Sequence, residues 1–327
     1  ETVSIGSNEY LVVFASGKDR VNPNGELHTN FNISRHGEPI LLTHPSGATI
    51  DRIDAIAIET DYSYGRYPDA SDNLVFFYTP TPGEPNSATT VITEWVHIEF
   101  SQKSGFHSDD FLLDIQSSEN VEIRYTLDAS TPTDSSLLYT DPIPIISRIG
   151  TNNTFSEIQS STDEFWASPR GEIDKLWVVR ARPYLNGVPV GREIHGSFWV
   201  DHHNPDQITL PIVSMISDPV NLFDYEHGIY IPGLLYDLDG TGNPFQTGRS
   251  SEREATFSYF DEQGELQIDQ KVGIRIHGSG TRSFPQKSLR LYARSSYGNE
   301  YIEYPFFPER ENQKFNRLVL NTPMGDH

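Results

Sequence analysis

The chain has 327 residues, more than one ordinary domain holds, so its length predicts roughly two or three domains. It carries 24 Lys and Arg against 46 Asp and Glu, a net charge of −22, which argues against nucleic acid and anionic membranes as partners. It contains no Cys, which excludes disulfides, thiolate metal sites and a Cys nucleophile. No apolar run approaches the roughly 18 residues of a membrane helix, so we expect no membrane insertion in this segment.

The composition favours sheet over helix. Strand-forming Val, Ile, Thr, Tyr and Phe are abundant, and 24 Gly and 22 Pro are scattered as in turns between short strands. The charge is uneven, because residues 271–327 hold nine basic and five acidic side chains. Two interpretations of this cationic end stay open: solvated basic faces, or a site for an anion such as phosphate.

The first module is predicted over residues 1–88. Residues 10–15 (YLVVFA) read as a buried strand, and residues 50–58 alternate like a strand with one buried face. Turn signals such as Ser46-Gly47 separate these runs. Short strands at this spacing indicate a β-sandwich.

Five strings keep their order along this module: LVVFASGKDR, LHTNFNIS, EPILLTHPSGATID, SYGRYPD and TPTPGEPN. Together they resemble the bacterial lamin-tail domain, an immunoglobulin-like sandwich. The resemblance implies a binding or spacing unit rather than an enzyme, with one or two further strands before Glu1. Because the chain also stops abruptly, we expect it to belong to a longer protein with domains at both ends.

The second module is predicted over residues 94–201. Val121, Ile123, Tyr125 and Leu127 alternate as in a strand, and Asn186-Gly187 marks a hairpin turn. The string YTLDASTPTDSSLLY resembles the signature of the chitobiase/β-hexosaminidase C-terminal domain, with Ala where Gly is common. That resemblance implies a fibronectin-III-like accessory sandwich without catalytic glycosidase residues.

Two further features of the second module are open to a functional interpretation. Asp128 and its Ser and Thr neighbours suit a cation or glycan site, but we expect them to cap the turn around Pro132. The polar insertion 148–170 is expected to form a surface loop. Its Phe165 and Trp166 are expected to pack back on the sandwich rather than present a binding surface.

The third module is predicted over residues 210–327. It contains, in order, LPIVSMISDPVNLFD, GIYIPG, NPFQTGRSSEREATFSYFDEQG and GIRIHGSGTRSFPQKSLRLYAR. These strings resemble the N-terminal portion of a CotH kinase-like domain. The resemblance implies that the parent protein is an extracellular atypical protein kinase that uses ATP and Mg²⁺. The metal-binding acids of that family would follow Asp326, so we assign no catalytic residue and expect this segment to be inactive alone.

The most specific of these strings carries the candidate anion site. Two predicted strands flank a loop of small residues at Gly278, Ser279 and Gly280, with Arg282 and Lys287 beside it. Glycines let backbone N–H groups approach a phosphate, and Arg and Lys supply charge and donors. A glycine turn between two strands with basic outer residues is the alternative interpretation.

A second candidate site is a calcium loop in YDLDGTGN, with ligands at Asp237, Asp239 and Asn243. No helix is expected on either side, and a glycine-rich surface turn is the alternative. His202 and His203 are interpreted as a linker rather than a metal site.

The predicted fold class is mostly β: two immunoglobulin-like or fibronectin-III-like sandwiches followed by a β-rich α+β lobe. Two function classes stay open. The first is a set of accessory modules of a secreted or cell-surface multidomain bacterial protein whose parent carries CotH-like kinase activity. The second is a purely adhesive or scaffold surface protein that binds protein or glycan partners.

Overall fold

The computed structural model describes residues 3–22, 25–34, 37–58, 62–88, 91–92, 96–163, 166–200 and 210–322. Phe165, His202, His203 and Asp326 lie outside these residues. The fold is mostly β, as predicted. The chain divides into two compact units, Glu1–Trp95 and Val96–His327, and the finer division into three modules stays a prediction.

The first unit is built from short strands. The described ones are β1 (Val13–Phe14), β2 (Leu27–His28), β3 (Ile40–Thr43), β4 (Thr49–Ile53), β5 (Ser63–Arg66), β6 (Leu74–Phe77) and β7 (Val91–Ile92). β1 pairs with β2, β3 pairs with β4, and β5, β6 and β7 form an antiparallel sheet. Gly47 has a φ of 88°, which L side chains rarely adopt, so the predicted turn between β3 and β4 is confirmed.

The prediction of a buried strand at residues 10–15 is wrong. Only Val13 and Phe14 form a strand, and their exposed fractions are 50% and 44%. The Phe14 ring stacks on the His28 ring at a centroid distance of 5.2 Å, but this contact does not bury the Phe14 side chain. Among the described residues of this unit, Phe77 is buried instead, with 1% exposed.

The second unit begins with a sandwich. Its strands are β8 (Ile98–Phe100), β9 (Gly105–His107), β10 (Phe111–Leu113), β11 (Ile115–Ser117), β12 (Glu122–Thr126), β13 (Leu137–Leu138), β14 (Ile143–Ile145), β15 (Trp177–Leu185), β16 (Val188–Pro189) and β17 (Ile194–Val200). The main sheet has the order β13-β12-β15-β17-β9, with β16 paired to β15. The core contains Leu113, Ile145, Val179 and Phe198, all fully buried.

The turns predicted in this sandwich are confirmed. Asn186 and Gly187 have φ values of 52° and 79° between β15 and β16, which suits a tight hairpin. Ala129 has a φ of 66°, the left-handed region that glycine enters without steric cost, and this explains the preference for Gly there. Asp128 Oδ1 accepts a hydrogen bond from the backbone N–H of Ser130 at 3.0 Å, so the side chain caps its turn as expected.

The rest of the second unit is a sheet with two short α-helices. Its strands and helices are β18 (Ile212–Ile216), α1 (Pro219–Phe223), α2 (Gly233–Asp239), β19 (Arg253–Phe260), β20 (Leu266–Ile276), β21 (Leu289–Tyr292), β22 (Ile302–Glu303), β23 (Lys314–Phe315) and β24 (Arg317–Leu320). Short 3-10 helices occupy Phe155–Glu157, Asn243–Phe245, Arg249–Ser251 and Gly280–Ser283. None of the described helices has the length and apolarity that crossing a membrane requires.

The sheet β18-β19-β20-β21-β24 is antiparallel and has two different faces. Because side chains alternate along a strand, one face collects the apolar core, including the fully buried Ile274 and Leu291. At β18 and β19 the other face lies against the sandwich. There Ser214 Oγ is 3.0 Å from Ser197 Oγ, and the rings of Phe260 and Phe106 meet edge to face at 5.4 Å.

Asp218 connects the sandwich to this sheet. Its Oδ1 accepts from the N–H of Val220 at 3.0 Å and caps α1, while its Oδ2 accepts from the N–H of Thr131 at 2.8 Å. Burial alone would raise the pKa of Asp218, but these N–H donors outweigh it and hold the pKa below its ordinary value. The carboxylate therefore satisfies one backbone group on each side of the contact.

We predict that Asp218→Ala lowers the free energy of unfolding of this unit by about 2 kcal/mol, because it removes a helix cap and leaves the Thr131 N–H without its acceptor. Chemical denaturation measures the change. Asp239→Ala is the matched control, because Asp239 accepts only within its own turn from Thr241. A loss no larger for Asp218→Ala than for the control would contradict the connecting role.

Candidate functional site

The predicted anion loop joins β20 to β21 as expected from the sequence. Its tip, Gly278 to Gly280, is exposed. Gly278 has a φ of 103°, and a Cβ there would collide with Thr281 Oγ1, so the position requires glycine. Gly278 therefore has a structural reason that is independent of any ligand, whereas a Cβ at Gly280 would meet no atom within 4 Å.

Arg282 is directed at backbone carbonyl groups. Its Nε donates to Gly278 O at 2.6 Å, and its Nη1 donates to Pro244 O at 2.6 Å and to Gln246 O at 3.2 Å. These bonds tie the loop to the 3-10 helix Asn243–Phe245 and leave fewer donors for a ligand. Burial lowers the pKa of Arg282, and the charge of Arg290 lowers it further.

Lys287 is buried, with 4% of the residue exposed. Its Nζ donates to Ser160 O and to Phe284 O, each at 2.6 Å, and lies 5.2 Å from the centre of the Tyr230 ring. Burial lowers the pKa of Lys287 to about 8. The five predicted residues thus belong to one loop, but the exposed glycines and the buried ammonium face different surroundings.

The partner of Lys287 comes from the insertion 148–170 of the sandwich. Ser160 Oγ donates to Pro285 O at 2.9 Å, and Ser161 Oγ donates to Ser283 O at 2.6 Å. The two serines are 7% and 1% exposed, so the expectation of a surface loop is wrong at these positions. The two serines donate to backbone carbonyl groups of the predicted anion loop. No local sequence pattern predicts these bonds, because they join distant parts of the chain.

The calcium candidate residues have separate hydrogen-bond partners. Asp237 Oδ2 accepts from the Tyr225 hydroxyl at 2.6 Å, and Asp239 Oδ1 accepts from the Thr241 N–H at 2.8 Å. Both acids lie in α2, so the expectation of no neighbouring helix is wrong. The seven residues Gly233–Asp239 form that helix, and Gly240, whose left-handed φ is 78°, ends it.

Asn243, the third candidate ligand, is fully buried. Its Nδ2 donates to Tyr225 O at 3.1 Å and to Gly228 O at 2.9 Å, and its Oδ1 accepts from the Leu235 N–H at 3.2 Å. Among the described residues, no cluster of three His, Cys, Asp or Glu side chains is arranged for a metal. The calcium site stays a prediction, and Asn243 has a clear role in fixing the loop before α2.

A cavity of about 500 Å³ lies between the sandwich and β18. Its walls are mainly apolar and include Leu127, Met215 and Phe223. Its cations are already engaged, since Arg148 donates to Leu176 O at 2.9 Å and Lys175 pairs with Glu172. Ser156 Oγ on its wall is buried without a hydrogen-bond partner among the described residues, but a single hydroxyl does not select a ligand, so we assign none.

Comparison with known proteins matches one part of the chain. A family model described as "Fn3 associated" matches residues 113–181, from the end of β10 into β15. No curated protein and no solved structure matches the chain. The matched range contains the Asp128 turn and supports a fibronectin-III-associated, chitobiase-like module there. The lamin-tail-like and CotH-like parts stay resemblances.

The buried position of Lys287 leads to a stability prediction. Lys287→Ala should lower the free energy of unfolding by about 3 kcal/mol, because it leaves a cavity and removes the donor from Phe284 O and from the buried bond to Ser160 O. Lys314→Ala is the matched control, because its ion pair with Glu303 is exposed on both sides and contributes little. Equal denaturation midpoints for the two variants would show that Lys287 has no structural role.

The lowered pKa of Lys287 also predicts a pH dependence. Below pH 8 both states hold the proton. Between about 8 and the ordinary value of 10.5 the folded state has released it while the unfolded state still binds it. The stability of the protein relative to Lys287→Met should therefore rise across that interval, by roughly 3 kcal/mol from the size of the shift. Denaturation of both proteins from pH 7 to 11 measures the difference, and a flat difference would contradict the prediction.

Proposed function

We propose that residues 96–322 serve as an accessory unit that holds a fibronectin-III-like sandwich in a fixed position against a CotH-like sheet. The observation that carries this proposal is the buried bond from Lys287 Nζ to Ser160 O, which joins the two parts. Asp218 and the serine pair Ser197–Ser214 support it with further polar contacts. A flexible connection between the two parts would not bury such groups, because each buried polar atom needs a hydrogen-bond partner that stays in place.

The family match supports the accessory character of the sandwich. We place the unit in a secreted or cell-surface multidomain protein, on the basis of the resemblances of all three modules. Its parent, in this proposal, carries the CotH-like kinase activity with ATP and Mg²⁺, and the segment itself does not transfer phosphate.

The described loop does not fit a nucleotide phosphate in this arrangement. Lys287 and Arg282 donate to carbonyl oxygens, and Ser160 and Ser161 lie against the loop backbone. A phosphate would have to replace these bonds, so we derive no catalytic step through the loop.

A second candidate function is adhesion through the first unit. The strand β3 exposes every one of its four residues, and Leu42 is 60% exposed. Ile50 on the paired strand β4 is 61% exposed. Exposed apolar side chains favour contact with a protein partner, and this hairpin is where we expect that contact.

Hydrogen exchange of the whole chain, followed by mass spectrometry with and without ATP and Mg²⁺, tests the proposal. We expect peptides from β17 and from β20 to open with the same free energy, within about 1 kcal/mol, because the two parts are locked together. We expect ATP to leave the exchange of residues 278–287 unchanged.

Two outcomes would contradict this account. If the sandwich opened independently, at a much lower denaturant concentration than the sheet does, the two parts would not form a fixed accessory unit. Slower exchange of residues 278–287 with ATP and Mg²⁺, absent with Mg²⁺ alone, would favour a nucleotide site in this segment.

A further inference from the structure

Arginines gather on the polar face of the five-stranded sheet, at strands β20, β21 and β24. Arg275 of β20 pairs with Arg290 of β21, and Arg317 of β24 pairs with Tyr292 of β21. Directly paired residues of antiparallel strands point to the same side of a sheet. The three arginine side chains therefore lie on one face of the sheet, on strands that are adjacent in space.

The Tyr292 ring holds several of these groups in place. The guanidinium carbons of Arg275, Arg294 and Arg317 lie 4.1, 4.8 and 5.6 Å from the ring centre. The ring belongs to a residue that is only 5% exposed, so it is a fixed platform. Cation–π contacts of this kind restrain the arginines before any ligand arrives. We call Arg275, Arg290, Arg294 and Arg317 the arginine strip.

One carboxylate faces the strip, and it is already engaged. Glu252 accepts from Arg294 at 2.8 and 3.0 Å, and lies 3.3 Å from Arg275 Nε. Its side chain is 1% exposed, and burial together with this carboxylate raises the pKa of Tyr297 to about 12. Within the described ranges, neither Arg290 nor Arg317 has an ion pair, so four cations face one anion.

Arg290 also has a neutral neighbour. Its Nη2 lies 2.7 Å from His277 Nδ1, and because Arg only donates, this ring nitrogen must accept. Burial and the charges of Arg290 and Arg282 lower the pKa of His277 and favour that neutral form. The histidine thus orients Arg290 without neutralising it.

The strip has an electrostatic cost that Glu252 and the Tyr292 ring offset only in part. Like charges directly opposite each other on neighbouring strands repel, as Arg275 and Arg290 do here. The chain has 46 acidic residues, yet only Glu252 among the described ones lies within ion-pair distance of the strip. A bound anion would remove the repulsion and use the guanidinium donors, which match tetrahedral oxyanions geometrically.

We infer that the arginine strip binds a tetrahedral oxyanion, the phosphate or sulfate group of a ligand. Arg290 and Arg317 contact it, and Arg275 and Arg294 contribute charge from their positions around Tyr292. The site lies on the opposite face of the sheet from the apolar core and does not use the glycine loop or Lys287. It goes beyond the accessory function and does not depend on it.

Thermal unfolding of the whole chain with inorganic sulfate and with pyrophosphate tests the inference, with ionic strength held constant by NaCl. We expect saturable stabilisation by at least one of the two anions, and the stronger one identifies a sulfate or a phosphate ligand. Arg317→Gln and Arg290→Gln should each weaken the apparent affinity at least tenfold, since each removes charge-assisted hydrogen bonds. Their melting temperatures without anion confirm that the variants fold.

Arg310→Gln is the matched control. It removes the same charge from an exposed arginine that stacks on Phe307 outside the strip, and it should keep the affinity within twofold. Three results would overturn the inference: no saturable stabilisation up to tens of millimolar anion, equal losses in Arg310→Gln and Arg317→Gln, or a loss in Lys287→Met that Arg317→Gln does not share. The last result would place the anion at the glycine loop.

Discussion

The second unit depends on one buried ammonium group. Lys287 is only 4% exposed, and its Nζ donates to Ser160 O and Phe284 O. Removing a charge from water costs several kcal/mol unless it is well hydrogen-bonded, so the insertion cannot leave this position without a large penalty. The bond therefore fixes the insertion, the loop after β20 and the side of the sandwich as one arrangement. The fall of the Lys287 pKa to about 8 reflects the same burial.

The two faces of the five-stranded sheet have different roles: one forms the apolar core and the other is polar. Leu289 and Leu291 enter the core, while Arg290 and Tyr292 of the same strand lie on the polar face. Near β18 that polar face is covered by the sandwich, and near β24 it carries the arginine strip. The cations of the C-terminal region therefore fall into two groups. Lys287 and Arg282 bond carbonyl oxygens, whereas Arg290 and Arg317 stay without a counter-ion among the described residues.

This division changes how the C-terminal cations are interpreted. The sequence offered solvated basic faces or an anion site at the glycine loop. The structure instead gives the loop cations structural partners and leaves an excess of charge on the sheet. An accessory unit with a fixed sandwich and an oxyanion site on the sheet face is consistent with both observations. The family match at residues 113–181 supports the accessory part of this interpretation.

Local chemistry was enough to predict some strands and turns, but not the extent or burial of the strand at residues 10–15. The two strands that flank the glycine loop and the hairpin at Asn186-Gly187 could be predicted, because both signals lie within a few residues. The burial of Lys287 and Asn243 could not be predicted from the sequence, because their hydrogen-bond partners come from other segments that packing and loop closure bring near. The arginine strip also required the strand register, because Arg275 and Arg317 become neighbours of one ring only when β20, β21 and β24 pair as they do. Alternation is a property of one segment, whereas charge balance and burial depend on every segment that surrounds a side chain.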